Sequence, residues 1–270
     1  MTGDRRGIYP QANGNILEVR GLSKRFGGLK ATDNISFVVP AGTITALIGP
    51  NGAGKTTVFN LLTNIFPSDA GEVRYDGIDI RGRSATKIAD LGLIRTFQSA
   101  RVFPGLTVLE NVLVGRHRLV RHSGFSQMFW TPSSRREEHR LRGKAIELLD
   151  LVGLARLADM HAIDLPMGNQ KLLDVIRALM GQPKLLCLDE PAAGLNDSET
   201  EELATLLRAV RTAGISVLVV EHNMSLVMNV ADHVVVLDAG SVIAAGSPGE
   251  VQQDPKVIGA YLGRQEHAVA

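Results

Sequence analysis

The chain has little cysteine: one residue, Cys187 in "KLLCLD", among 270. One thiol cannot build a disulfide framework, which fits a reducing compartment. Set in an apolar run, this cysteine reads as a small buried hydrophobe rather than a nucleophile. No stretch reaches the roughly 20 apolar residues needed to cross a bilayer. The opening "MTGDRRGIYPQANGN" has two arginines with no apolar segment behind them, so it reads as a polar tail over 1–15 rather than an export signal. Charge excess is also missing. A formal net charge of +1 gives no reason to expect nucleic acid or an acidic surface as partner. Internal repeats, low-complexity segments and long heptad runs are absent as well.

What is present is an ordinary globular balance, 44% apolar and 21% charged, in a length that suits one large core or two unequal subdomains. From Ile16 to Leu47 short apolar or alternating runs, "ILEVRGLSKRF", "NISFVVP" and "TITALIG", are separated by Gly, Asp-Asn and Pro-Ala-Gly turns, which predicts strands. "TITALIG" is apolar throughout, as a strand buried on both faces is. "KTTVFNLLTNI" then shows helical spacing of Val58, Leu61, Leu62 and Ile65. Between about 107 and 182 helical periodicity dominates, in "TVLENVLVGRHRL" and "RREEHRLRGKAIELLDLVGL", with "HSGFSQMFWTPSS" as an irregular connector. Beyond Gln170, helix and strand alternate through "KLLCLD", "SVLVVE" and "HVVVLDAG". The pattern predicts an α/β fold with a mainly parallel sheet and an inserted helical subdomain, closed by a short tail over 263–270.

"GPNGAGKTT", Gly49–Pro50–Asn51–Gly52–Ala53–Gly54–Lys55–Thr56–Thr57, fills every fixed position of G-x-x-x-x-G-K-[ST] between a buried strand and a helix. Glycines let successive backbone N–H groups turn inward around phosphate oxygens, and the helix N-terminus adds a favourable dipole. Lys55 then reaches the β- and γ-phosphates of a nucleotide, and Thr56 offers a hydroxyl to Mg²⁺. In "KLLCLDEP", Asp189 ends an apolar strand at the carboxyl edge of the sheet, where it can hold Mg²⁺, and Glu190 next to it can polarise an attacking water. Alone, such a pair would read as a solvated acidic turn.

In these motifs the chain resembles the nucleotide-binding subunits of ATP-binding cassette transporters, from about Ile16 to Leu262. The resemblance implies a phosphate-loop NTPase core with an antiparallel N-terminal β-subdomain, Mg²⁺-dependent ATP hydrolysis, and further site residues. Gln98 in "IRTFQSARVF" matches a glutamine that links the γ-phosphate and Mg²⁺ to the membrane partner. His222 in "VLVVEHNM" matches a histidine that contacts the γ-phosphate. Phe26 in "LSKRFGG" matches an adenine-stacking aromatic, although it could equally pack against its own β-subdomain. "AAGLND" resembles a dimer-contact loop. "WTPSSRREEHR" and the ending "DPKVIGAYLG" look like the ATPase subunits of branched-chain amino acid importers.

The resemblance also exposes a departure. The family's signature loop reads L-S-x-G-Q and grips a second subunit's ATP across a head-to-tail dimer. Here the loop runs Leu165, Pro166, Met167, Gly168, Asn169, Gln170. Proline removes the serine hydroxyl and a backbone N–H donor, Asn169 stands at the glutamine position, and Gln170 is the one neighbour that could compensate. Because the loop acts in trans, the expected damage falls on the partner's ATP site, which suggests a heterodimer with one competent and one weakened site. The implied partners are a second ATPase subunit, membrane permeases docked near Phe103 and Pro104, and indirectly a periplasmic or extracellular binding protein. The implied location is the cytoplasmic face of the membrane. A lipid or lipopolysaccharide exporter ATPase and a nucleotide-gated regulatory subunit are the competing functions.

Overall fold

A computed structural model of the chain describes residues 14–96, 102–116 and 132–262. Gln98, residues 1–13 and 263–270 of the expected tails, and residues 122–131 of the expected connector lie outside the described residues. Two compact units emerge from the described parts of the chain. One is drawn from Met1–Arg95, Lys184–Gly194 and Leu207–Ala270, the other from Thr96–Pro183 and Leu195–Leu206. The second unit therefore begins before the expected insertion and takes in a later segment. Among the described residues no helix is long and apolar enough to cross a membrane.

The first unit contains two sheets. Strands β1 (Asn15–Phe26) and β2 (Leu29–Pro40) form a hairpin, followed by β3 (Ile44–Ile48), helix α1 (Lys55–Leu62), β4 (Ala70–Tyr75), β5 (Ile78–Asp79), α2 (Ala85–Asp90) and β6 (Leu93–Arg95). β1, β2, β4 and β5 make an antiparallel sheet in the order β2-β1-β4-β5. Alternation along β1 and β2 turns Leu17, Val19, Leu22, Ile35, Phe37 and Val39 into one apolar core.

The second sheet adds β7 (Leu185–Asp189), β8 (Ser216–Val220), β9 (His233–Asp238) and β10 (Ser241–Gly246) in the order β10-β9-β3-β8-β7-β6. Every residue of β3, β7 and β8 is buried, which is why these strands read as nearly continuous apolar runs, interrupted by Thr45, Asp189 and Ser216. β3 pairs in parallel with β8 and β9, and β7 with β6 and β8, so Ile48, Arg95, Asp189 and Val220 all end at one edge. Ligands of open α/β sheets bind beyond that carboxyl edge. Cys187 lies mid-strand in β7, and burial pushes its thiol up to about 12, leaving it protonated and inert at neutral pH.

One expectation about α1 fails. The helix stops at Leu62 because Asn64 adopts a left-handed conformation (φ 55°), which turns the Ile65 N–H back onto the Asn60 carbonyl at 2.9 Å. Ile65, read from its spacing as part of the buried face, is instead 52% exposed.

The second unit is helical: α3 (Val108–Val114), α4 (Pro132–Asp150), α5 (Met167–Met180) and the first turns of α6 (Asp197–Thr212). Thr107 and Glu110 form a capping box that starts α3. The fully buried Asn111 accepts from the Phe103 amide at 2.8 Å and donates to the carbonyls of Phe103, Leu106 and Thr107. Those bonds fix the turn on which Phe103 remains 45% exposed. Arg177 stacks its guanidinium 5.3 Å from the Phe103 ring centroid. The chain closes with α7 (Met224–Val230), α8 (Pro248–Gln253) and α9 (Pro255–Leu262) in the first unit.

Candidate nucleotide-binding site

The glycine loop leaves the carboxyl end of β3 and enters α1. Gly54 caps the helix at φ 102° and contributes no side-chain hydrogen bond, so the first-turn amides face no protein side-chain acceptor of the capping kind. A Cβ on Gly54 would lie 2.7 Å from the Ala31 carbonyl, and one on Gly49 would lie 2.1 Å from the Leu237 carbonyl. Both glycines are thus fixed by backbone packing as well as by loop conformation. Lys55 is buried and folds over the loop, donating to the carbonyls of Gly49 (2.6 Å) and Pro50 (3.1 Å). Its ammonium therefore sits where the loop curls, in reach of whatever the loop encloses.

A cavity of about 540 Å³ opens beside the loop, a volume suited to a small-molecule ligand. It is lined by Asn51 to Thr57, by Leu29, Lys30 and Ala31 of β2, by Glu190, and by the Ala239–Gly240 turn between β9 and β10. That turn is fastened to the glycine loop, since Gly240 N–H donates to the Ala53 carbonyl at 3.1 Å while the Gly240 carbonyl accepts from Asp33 N–H at 2.7 Å. Phe26 is not part of the lining. Its ring is 46% exposed and meets Phe66 edge to face at 5.2 Å, with the Lys24 ammonium 5.6 Å from the ring centroid.

Glu190 follows β7 in a left-handed conformation, φ 48°, which costs about 1–2 kcal/mol for a residue with a Cβ. Its amide extends the β7–β8 ladder by donating to the Val220 carbonyl at 2.9 Å. The carboxylate oxygen Oε2 then lies 3.9 Å from Nδ1 of His222, the second residue after β8. The structure thus brings Glu190, His222 and the glycine loop to the same sheet edge.

Asp189 is 4% exposed and carries a partner that the sequence did not announce. Arg95, at the end of the neighbouring strand β6, donates from Nη2 to Asp189 Oδ2 at 2.8 Å. The same guanidinium donates to Asn60 Oδ1 (2.7 Å) and Thr63 Oγ1 (3.2 Å) and lies 5.4 Å from the Phe59 ring centroid. Glu221, between β8 and His222, is equally hidden: fully buried, it accepts from the amides of Ala192, His222 and Asn223. Burial raises its pKa, opposed by those three backbone donors. Each missed residue had a faint signal, a charged side chain at the end of a strand bound for the ligand edge (Arg95) or directly after one (Glu221).

The donor set suits a magnesium–nucleotide pair. Among the described residues no three His, Cys, Asp or Glu side chains form a metal cage. Mg²⁺ commonly takes only one or two protein oxygens and completes its shell with phosphates and water. Thr56, exposed on the first turn of α1, and Asp189, which ends β7, would be the two residues at this edge to offer such oxygens.

The signature-type loop lies in the second unit. Pro166 is the cap of α5 (φ −51°, ψ 150°), one residue before the helix, and offers no side-chain cap. Gln170 turns its amide nitrogen back onto the carbonyls of Leu165 (2.8 Å) and Ile163 (3.2 Å), committing that donor inside the loop. Leu165 is buried, Met167 is 65% exposed and Asn169 is half-buried. A Cβ on Gly168 would meet the Glu199 carboxyl group at 2.3 Å. Glu199 is itself held, because it caps α6 reciprocally with Asn196.

This fold and loop define a phosphate-loop nucleotide-binding protein with an inserted helical unit. The pattern of the ABC transporter family matches residues 32–193, and the chain belongs to that family. A further pattern, that of the branched-chain amino acid ATP-binding cassette transporter, matches residues 241–267. The chain is 43% identical to the high-affinity branched-chain amino acid transport ATP-binding protein BraF of Pseudomonas aeruginosa, over 92% of this chain and 98% of that protein. It is 41% identical to the protein of the same description, LivG, of Escherichia coli, with the same coverage. Among solved structures, the ADP conformation of MJ1267, an ATP-binding cassette of an ABC transporter, superposes with a TM-score of 0.80 at 33% identity, covering 92% of this chain and 99% of that one.

Proposed function

We propose that this chain binds ATP with Mg²⁺ and hydrolyses it to power an importer of branched-chain or related amino acids, from the cytoplasmic face of the membrane. The observation that carries the reading is the shared cavity of Lys55, Thr56 and Glu190, with His222 3.9 Å from the Glu190 carboxylate. The amino acid specificity is supported by the names of the relatives and by the matched segment 241–267.

In this reading the loop amides and Lys55 bind the β- and γ-phosphates, the ammonium exchanging its loop carbonyls for phosphate oxygens. Glu190 takes the proton of the attacking water as its oxygen bonds to the γ-phosphorus, and ADP leaves. His222 steadies the γ-phosphate. Thr56, Asp189 and Gln98 would hold Mg²⁺, which would supply charge neutralisation at the phosphate oxygens. Adenine rests on the β2 side of the cavity, where Leu29 to Ala31 lie, and the exposed ring of Phe26 at the end of β1 stacks on it.

The working unit is a head-to-tail pair with a second ATPase subunit, docked to permeases through the Phe103–Pro104 turn. Pro166 makes that pair unequal, since a lost charge-assisted hydrogen bond to phosphate costs about 1.5–3 kcal/mol at the partner's site. ATP hydrolysis by the purified pair, set against the isolated chain, tests the motor reading. Phosphate release by the pair at least tenfold faster than by the chain alone is the expected result. Equal and negligible rates would favour a regulatory, nucleotide-gated subunit.

A further inference from the structure

We propose that Glu221 is a positioning residue that ties the Glu190 turn and the His222 turn into one rigid piece through its two carboxylate oxygens. The inference rests on the ATPase reading given above. Oε1 accepts from the Ala192 amide at 2.8 Å, two residues beyond Glu190. Oε2 accepts from the amides of His222 at 3.1 Å and Asn223 at 3.2 Å. The oxygens are therefore divided, one for each turn, and a planar carboxylate holds them at a fixed separation.

Both turns need such an anchor. Glu190 is left-handed and is held there by surrounding bonds, among them its amide to the Val220 carbonyl and its carbonyl accepting from Ala193 at 3.2 Å. Asn223 goes on to cap α7 through Leu226 N–H at 3.0 Å, so the His222 turn is fixed at its far end as well. Glu221 has no exposed surface, and among the described residues no Lys or Arg pairs with it. A buried carboxylate that relies on backbone amides is a costly device compared with an apolar side chain of the same size. What it supplies in return is geometry: beside the Glu190–Val220 backbone bond it adds a second tie between the turns that carry the Glu190 and His222 side chains, 3.9 Å apart.

Glu221→Gln separates this coupling from simple burial. Glutamine keeps one accepting oxygen, and the paired donors of His222 and Asn223 outcompete the single donor of Ala192 for it. The amide nitrogen of Gln then faces the Ala192 N–H, donor against donor. Hydrogen exchange should therefore accelerate at least tenfold at Ala192 while His222 and Asn223 stay within about threefold of wild type. In the assembled ATPase, kcat should fall at least tenfold with KM for ATP within about twofold, a split that general destabilisation does not produce. Glu221→Asp keeps both oxygens but shortens the side chain so that it cannot reach the two turns at once, and should reproduce the kinetic loss if Glu221→Gln does not yield folded protein. Wild-type kcat in Glu221→Gln, or unchanged exchange at Ala192, overturns the coupling. Absence of ATP turnover in the wild-type assembly would instead overturn the ATPase reading, and the two failures are read separately.

Discussion

Glu190→Gln in the assembled transporter lowers ATP hydrolysis by about 10²–10⁴-fold, the range expected for losing a general base, while nucleotide binding persists. The amide is isosteric, so the left-handed turn and its bond to Val220 survive, and only the capacity to take a proton is lost. The change also reports on Pro166. In the proposed head-to-tail pair, this chain's Glu190 would work at the site completed by the partner's signature loop, whereas Pro166 would sit in the loop that completes the partner's site. Changing the partner's equivalent glutamate should therefore cost far less than changing Glu190. Equal losses from the two substitutions would show that Pro166 creates no inequality. Restoring serine at Pro166 should raise nucleotide affinity at the partner's site by roughly 10–100-fold, the equivalent of the lost hydrogen bond. No change there would leave the proline as a helix starter alone.

The second large effect concerns stability. Arg95→Met leaves Asp189 buried without its cation, and breaking one partner of a buried pair costs about 3–5 kcal/mol. For a chain of this size the midpoint of thermal unfolding should drop on the order of 10 °C. Asn60 and Thr63 lose a donor in the same step, which keeps the estimate toward the upper end. Adding Asp189→Leu to Arg95→Met should recover most of the loss, since an apolar pair of similar volume often replaces a buried ion pair without penalty. The double variant would still lack the carboxylate proposed to hold Mg²⁺ and should not hydrolyse ATP. A single Arg95→Met variant that melts like wild type would mean that the Arg95–Asp189 pair is not kept in solution.

What the sequence disclosed and what it hid follow from distance along the chain. The glycine loop needs only nine consecutive residues and the strand and helix beside them, so "GPNGAGKTT" was legible at once. β3, β7 and β8 were legible because full burial writes itself as runs of mostly apolar letters. Arg95 was not, because its carboxylate lies 94 residues away and the two meet only through the β6–β7 pairing. Glu221 reaches Ala192 across 29 residues and looks, in sequence, like any charge ending a strand. The Ala239–Gly240 turn enters the cavity through β9, a strand whose pairing with β3 no local pattern announces. Ile65 misled for the opposite reason: spacing extended a helix that a left-handed Asn64 had already ended.

The central claim is that this chain couples ATP hydrolysis to amino acid import, and uptake measured in proteoliposomes tests it most directly. The complete transporter, with its binding protein and labelled leucine, isoleucine or valine on one side and ATP on the other, should accumulate the amino acid only when ATP is present. Glu190→Gln should abolish both uptake and phosphate release. ATP hydrolysis that ignores the amino acid and its binding protein, or that moves a lipid outward instead, would contradict the account.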